Sequence, residues 1–290
     1  MTIAPLGTKG EPMRKHTSLH IGGPAQFYVR VTTERDLIGA VAVAREHELP
    51  VFVLGGGTNL LVADAGISGV VLHNDWAETS VDGTEITAAS GTPMASVAAV
   101  AARNGILGLE WMATVPGTVG GAVHGNAGAY GSETKDVLVD AELMDLDGKT
   151  WTATNAELGF AYRTSALQNT STIVLRARFR GTPGERTTAV KKIKEIANDR
   201  MAKQPLAQPN TGSIFRNPPG DHAGRLIEAA GLKGATEGGA MVSTKHANFI
   251  VNIGDASASD VRTLMERCQR EVKEKFGVDL IPEVEMVGEW

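Results

Sequence analysis

The spacing of apolar and polar positions divides this chain into strand-like and helix-like stretches. Residues 25–31 alternate with the period of a half-buried strand, and nothing before them is periodic, so residues 1–24 are predicted irregular. Thr33-Glu34-Arg35-Asp36 reads as a capping box, and Leu37, Ile38, Val41 and Ala44 follow at helical spacing. Pro50 closes that region, and residues 51–54 form a short apolar strand running directly into Gly55-Gly56-Gly57. Strands are predicted over 69–73, 85–89 and 173–180. Thr92 is placed to cap a helix over 94–104, with Pro93 at its first position and Gly105 just past its end. Residues 137–146 and 149–154 flank Asp147-Gly148, a two-residue hairpin signal, and 188–203 is a charged helix. Gln204-Pro205-Leu206-Ala207-Gln208-Pro209-Asn210 is the clearest boundary. Beyond it come a loop over 211–221, a helix over 223–230 stopped by Gly231, and a strand over 248–252. A helix over 259–276 places Val261, Leu264, Met265, Cys268, Val272 and Phe276 on one face, and 278–287 is strand-like around Pro282-Glu283. No internal repeat or low-complexity segment interrupts this order. The class is α+β in two or three lobes.

Glycine changes the picture. The chain has 34 in 290 residues, well above the usage of about 7% in average proteins. They concentrate in Val53-Leu54-Gly55-Gly56-Gly57-Thr58-Asn59-Leu60 and in Val115-Pro116-Gly117-Thr118-Val119-Gly120-Gly121-Ala122, which runs on through Asn126-Ala127-Gly128-Ala129-Tyr130-Gly131. Glycine lets successive backbone N–H groups converge on one anion, because no Cβ blocks the approach. Two such loops suggest one pyrophosphate gripped from two sides, hence a dinucleotide. A Rossmann site needs G-x-G-x-x-G opening a full helix, yet Asp64-Ala65-Gly66 follows Gly57 too soon. A P-loop is disfavoured because no Gly-Lys-Ser/Thr follows. The pyrophosphate is then expected on loop backbone.

The remaining composition mostly excludes. Net charge is −5, and no basic stripe interleaves with aromatics, so no nucleic-acid partner is expected. No apolar run approaches the ~18 residues of a membrane span. The first residues lack the apolar core of a signal peptide, so no membrane association and a cytoplasmic location are expected. The single cysteine, Cys268, falls on the apolar face of the last helix and reads as a core thiol. The seven histidines show no ligand spacing, and no metal is expected. Lys191, Lys192 and Lys194 read as a solvated helix face. Spacing alone leaves Arg163 an ordinary surface arginine, Ser213 a turn-capping serine and Glu283 a solvent-face strand residue.

These residues gain meaning together. Thr17-Ser18-Leu19-His20-Ile21-Gly22-Gly23-Pro24-Ala25, the Gly55 to Asn59 loop, and the stretch from Gly108-Leu109-Glu110-Trp111 to Gly131 come in a characteristic order. They are followed by Tyr162-Arg163-Thr164-Ser165, Gly212-Ser213-Ile214-Phe215-Arg216-Asn217-Pro218, Ala229-Ala230-Gly231-Leu232-Lys233-Gly234 and Pro282-Glu283-Val284. In this order the chain resembles the UDP-N-acetylenolpyruvoylglucosamine reductase family, over residues 16–288. The resemblance implies a vanillyl-alcohol-oxidase (PCMH)-type FAD-binding fold in two lobes plus a separate α/β substrate-binding domain. The corresponding division is 1–75 (joined by 283–290), 76–204, and 205–282. It also implies that NADPH reduces FAD, and that the reduced flavin reduces the enolpyruvyl ether of UDP-N-acetylglucosamine to UDP-N-acetylmuramate, a peptidoglycan precursor.

The resemblance gives each residue a role. Hydride adds to C3 of the enol ether, and charge flows into the adjacent carboxylate. Arg163 would hold that charge with a bidentate guanidinium, Glu283 would assist in its protonated form, and Ser213 would deliver the proton to C2. FAD would lie on Gly55, Gly56, Gly57, Thr58, Asn59 and Leu60, and on Pro116, Gly117, Thr118, Gly120, Gly121, Asn126, Ala127 and Gly128. The UDP-sugar would meet Tyr162, Arg216, Asn217, Lys245 and His246; Asn248 is a further pocket candidate, and for Lys245, His246 and Asn248 a structural role competes. The chain departs from the family at three points. Only 50 positions (213 − 163) separate Arg163 from Ser213, as in its shorter form lacking the insertion that carries a lid tyrosine. Arg216 stands where a lysine is usual, and His16 where an asparagine is common. Two other readings stay open: an FAD-dependent oxidase or dehydrogenase of another alcohol or sugar, and a non-catalytic nucleotide-binding module. The oligomeric state is open, with a monomer the expectation.

Overall fold

The computed structural model describes residues 7–290; the reading of residues 1–6 as irregular lies outside the described part. The chain clusters into two compact units. The first is built chiefly from Phe27–Gly56 and Gly69–Arg200, the second from Lys9–Gln26, Gly57–Ser68 and Met201–Trp290. The break after Arg200 lies close to the proline-rich boundary read at Gln204. The second unit also draws in two short segments from the first seventy residues.

In the first unit, the helix Glu34–Glu46 starts where the capping box places it: the Thr33 hydroxyl accepts from Asp36 N at 3.1 Å. Its buried Leu37, Val41 and Ala44 join Val31, Val70, Leu72 and Trp76 in one core. The strand Val51–Leu54 pairs in parallel with Ile67–Asn74, Val51 opposite Val70. A second core belongs to a five-stranded antiparallel sheet. Its order is Thr150–Thr154, Leu138–Met144, Ile173–Arg180, Glu85–Ala89, Thr79–Asp82. The helices Met94–Arg103 and Val119–Gly125 bury Met94, Val97, Val119 and Val123 in that core, with Ile86, Ala177 and Phe179 from the sheet. In the second unit, the three-stranded sheet Thr236–Glu237, Ala240–Val242, Ile250–Asn252 shares a core with the helices Ala223–Ala229 and Ala258–Phe276. Cys268 is 2% exposed there, and burial pushes its thiol up to about 12. It is a core residue.

Several local expectations change. Thr8–Pro12 is a strand within the segment read as irregular. Pro93, not Thr92, is the N-cap of the helix from Met94; the Thr92 hydroxyl instead accepts from Glu78 N and donates to Glu78 O. The hairpin at Asp147-Gly148 has a five-residue loop, because Asp145 Oδ1 accepts from both Asp147 N and Lys149 N and closes it earlier. Residues 119–125 are a helix within the second glycine loop. Phe276, read as part of the apolar stripe, is 39% exposed; it is the last residue of the helix, which ends at left-handed Gly277. Only Glu285–Val287 of the last segment is strand, paired in parallel with Leu60–Val62.

The long helix of the second unit has an unusually complete N-terminus. Ser257 accepts from Asp260 N at 3.0 Å, and Asp260 returns a bond to Ser257 N. Asp64, nearly two hundred residues earlier, accepts from Ala258 N at 2.8 Å, Ser259 N at 3.0 Å and the Ser259 hydroxyl at 2.8 Å. Partial burial opposes ionisation of Asp64, yet these three donors more than offset it and hold its carboxyl below the ordinary value of 3.8. The unfolded chain therefore binds the proton first. The stability from this cap is fully present above 3.8 and is lost as pH falls through the lower folded value. We expect Asp64→Ala to cost about 1–2 kcal/mol in urea unfolding at pH 7, and less at acid pH, where the wild-type carboxyl is itself neutral.

Candidate active site

The two glycine loops meet inside the first unit. A Cβ on Gly55 would fall 2.4 Å from Thr118 Oγ1, so any side chain there would displace that hydroxyl where the first loop lies against the second. Thr118 is extended and opens the helix Val119–Gly125. Val119 N donates to Thr92 O at 2.9 Å and Gly120 N to Ser90 O at 2.8 Å, which lays the turn flat along residues 90–92. Gly121 is exposed, and its missing Cβ would meet nothing closer than Thr118 Oγ1 at 3.9 Å. The result is a cradle of backbone with no side-chain wall, which fits a dinucleotide pyrophosphate. Gly55, Gly56, Thr118 and Gly121 would hold it there.

The same loop braces the segment that carries the arginine. Asn126 ends the helix in the left-handed region (φ 47°) and is fully buried. Its carboxamide donates to Ala161 O at 2.8 Å and Glu133 Oε2 at 3.0 Å, and accepts from Lys135 N at 3.1 Å. The side chain is thus engaged by protein, and its part in a cofactor site is to hold the loop. Thr134 holds Ala127 by donating twice to its carbonyl. Arg163, itself left-handed at φ 57°, donates from Nη2 to Gly128 O at 3.1 Å, and Ser165 donates to His124 O at 2.7 Å. Tyr162 is 44% exposed, with the Arg163 guanidinium 5.2 Å from its ring centre. A strained backbone held from several sides is what a site builds when a side chain must point one way.

The second unit assembles the rest. Gly57 (φ +59°) lies so close to His16 that a Cβ would sit 2.0 Å from its carbonyl oxygen, and Ser18 N donates to Gly57 O at 3.0 Å. Asn59 donates from its carboxamide to Glu283 O at 3.0 Å, and its own carbonyl accepts from Glu285 N at 2.9 Å. Glu283 N donates to Ile214 O at 2.8 Å, Arg216 N to Ile281 O at 2.9 Å, and Phe215 bridges Pro282. Ser213 and Glu283 therefore sit on neighbouring extended segments, with the end of the first glycine loop alongside. Arg163 belongs to the other unit.

Three polar groups in the serine loop have no partner among the described residues. The Ser213 hydroxyl makes no hydrogen bond to them, and Thr211 Oγ1 and Arg216 Nε are buried without a bond. An unmatched buried guanidinium N–H is costly and suits an anionic ligand. The other predicted substrate residues have protein partners. Asn217 Oδ1 accepts from Ala223 N at the start of a helix, and Lys245 Nζ donates to Met201 O at 2.7 Å. His246 packs edge-on against Phe249 and accepts at Nδ1 from Asn248 N at 3.2 Å. Burial, reinforced by Lys233, pushes its pKa below the ordinary histidine value. Among the described residues no group of three or more His, Cys, Asp or Glu could hold a metal, and no helix is long and apolar enough to cross a membrane.

Gly57→Ala should be the most damaging single methyl in the site. It places a side chain at positive φ, costing about 1–2 kcal/mol, and drives Cβ into a backbone oxygen that cannot rotate away. We expect the purified variant to show lower flavin absorbance per chain and a lower melting temperature than wild type. Equal values for both would refute the close approach.

Comparison with known proteins fits this geometry. The family profile described as "UDP-N-acetylenolpyruvoylglucosamine reductase, C-terminal domain" matches residues 204–287, and that described as "FAD binding domain" matches residues 25–154. A UDP-N-acetylenolpyruvoylglucosamine reductase of Caldanaerobacter subterraneus subsp. tengcongensis is 46% identical, over 96% of this chain and 93% of its own length. UDP-N-acetylenolpyruvoylglucosamine reductase 2 of Symbiobacterium thermophilum is 44% identical, over 97% and 92%. The crystal structure of the Thermus caldophilus reductase (MurB) superposes with a TM-score of 0.82 at 36% identity, covering 95% of this chain and 97% of that one. The α+β architecture, with its FAD-binding part, is that of these enzymes. The chain is an oxidoreductase and belongs to the UDP-N-acetylenolpyruvoylglucosamine reductase family.

Proposed function

We propose that this protein reduces the enolpyruvyl ether of UDP-N-acetylglucosamine to UDP-N-acetylmuramate in the cytoplasm, with NADPH as the electron source, as a step toward peptidoglycan. The observation that carries the reading is the serine loop. A hydroxyl without a protein partner stands on a segment bonded directly to the one bearing Glu283. Bound FAD supplies a hydride acceptor and donor, and the chain's own residues must do the rest.

The enol ether is electron-rich, so hydride arrival at C3 becomes favourable only as negative charge moves into the carboxylate. Fixed positive charge and acidic hydrogen aimed at those oxygens lower the barrier, because they are worth more where charge develops than in the ground state. Arg163 supplies a permanent cation whose guanidinium is already oriented by the Gly128 carbonyl. Glu283, protonated, supplies the acidic hydrogen. C2 then takes a proton from Ser213, and the serine recovers one from solvent when the product leaves. Arg216, with its buried unpartnered Nε, fits the diphosphate of the nucleotide. An oxidase of another sugar would abstract hydride and would have no use for a proton donor at this place.

Two measurements test the reading. The purified protein should carry flavin absorbance, and NADPH oxidation should depend on the UDP-enolpyruvyl sugar; flavin without sugar-dependent turnover would sink the assignment. Ser213→Ala should leave flavin reduction by NADPH within about two-fold of wild type while slowing reoxidation by the sugar by about 100-fold or more, the scale of a lost acid. Equal slowing of both half-reactions would contradict the proton-donor role.

A further inference from the structure

Ser213 raises a mechanical question. Its hydroxyl has no hydrogen bond to any described residue, so no side-chain contact fixes where it points. Its place is set by backbone on both sides: before it Gly212 N donates to Asn210 Oδ1 at 2.9 Å, and after it come Ile214 and Phe215. The Ile214-Phe215 backbone is bonded on both sides. On one side it meets residues 281–283 through Arg216 N, Ile214 O and the Phe215–Pro282 bridge. On the other it meets a single residue, Asn248. The Asn248 carbonyl accepts from Ile214 N at 2.8 Å, its Oδ1 accepts from Phe215 N at 3.0 Å, and its Nδ2 donates to Phe215 O at 2.8 Å. A carboxamide here does what a strand would do, matching one donor and one acceptor of the same residue.

Asn248 lies within the apolar run Ala247 to Val251 and is 3% exposed. A buried amide in such a place is retained only if it is fully matched. Its remaining backbone donor goes to His246 Nδ1 at 3.2 Å, so the clamp is itself braced by a half-buried ring. We propose that Asn248 is the positioning residue for the proton donor: it fixes the Ile214-Phe215 backbone and thereby the direction of the Ser213 hydroxyl. The proposal rests on the reading of Ser213 as the acid. It assigns Asn248 no contact with substrate or cofactor. Proton delivery to one carbon depends on distance and line of approach, and a displacement of about 1 Å is enough to cost on the order of 100-fold.

Asn248→Asp keeps the shape and removes the donor to Phe215 O whenever the acid is ionised. Flavin-loaded protein is reduced by NADPH and then mixed with the UDP-enolpyruvyl sugar in a stopped-flow instrument, alongside wild type and Ser213→Ala. Flavin content and NADPH reduction should stay within about two-fold of wild type, while reoxidation slows by on the order of 10–100-fold. The solvent deuterium isotope effect on reoxidation should rise, because proton delivery has become slower than hydride transfer. Reoxidation should recover as pH falls, since a protonated aspartic acid again offers one donor and one acceptor. Asn248→Ser, smaller and uncharged, repeats the test without burying a charge. Reoxidation at the wild-type rate in both variants overturns the inference, as does slowing of both half-reactions together or loss of flavin from both variants. A wild type whose flavin the sugar cannot reoxidise overturns this inference and the functional reading with it. Wild type and Ser213→Ala behaving as expected, beside unaffected Asn248 variants, overturns this inference alone.

Discussion

The candidate site depends on how closely one backbone can lie against another. Gly57 sits where a single methyl would strike the His16 carbonyl at 2.0 Å, and Gly55 where it would strike Thr118 Oγ1 at 2.4 Å. Each is a close approach within its own unit, and at Gly57 the neighbour is a backbone atom that no rotation moves away. The residues downstream inherit their places from this. Asn59 can reach the Glu283 carbonyl, and Leu60–Val62 can pair with Glu285–Val287, because the loop before them has no freedom to shift. The main chain of the acidic residue in the proposed chemistry is held on both sides, by Asn59 and by Ile214.

Neutral hydrogen bonds do most of this positioning. The sheet of the first unit carries a conspicuous charge ladder, in which Arg176, Arg178 and Arg180 face Glu34, Glu78, Glu85 and Asp140. Such pairs at a water-facing surface contribute little, since salt and solvent screen them and long side chains lose entropy. Asn126 and Asn248 act differently. Each is a buried carboxamide that bonds main-chain or carboxylate atoms, and each braces a segment that bears a residue of the proposed chemistry. Breaking one of these leaves a stranded buried polar group, which costs more than a lost surface pair.

Much of this was legible in the sequence, for reasons that differ by residue. Period and capping chemistry place the helices at 34–46 and 258–276 and the strands at 51–54, 85–89 and 173–180 to within a few residues, because local sequence decides them. The glycine loops announce themselves by composition. What local sequence hides is long-range. Thr92 looks like a cap until Glu78 takes its hydroxyl. Asp64 looks like a turn residue, yet it caps a helix far along the chain. The helix Val119–Gly125 is masked by its own glycines, which lower helical propensity even where packing against residues 90–92 enforces it. Asn217, Lys245 and His246 carry the polar chemistry of ligand contacts, but the structure gives each a protein partner. Asn248 left one signal, a lone carboxamide inside an apolar run.

The strand pairing of Glu285–Val287 with Leu60–Val62 bears on the order of events during synthesis. The second unit gathers residues 9–26 and 57–68 with residues 201–290, so its early segments leave the ribosome long before their partners exist. At synthesis rates of about 5–20 residues per second, residues 60–62 wait for more than ten seconds with their backbone unpaired. A parallel partner that arrives so late makes the unit a high-contact-order assembly. During that interval the strand at 60–62 lacks its parallel partner and is open to a wrong one. A newborn chain therefore passes through a period in which the first unit has all its residues while the second still lacks the strands Ala240–Val242, Ile250–Asn252 and Glu285–Val287.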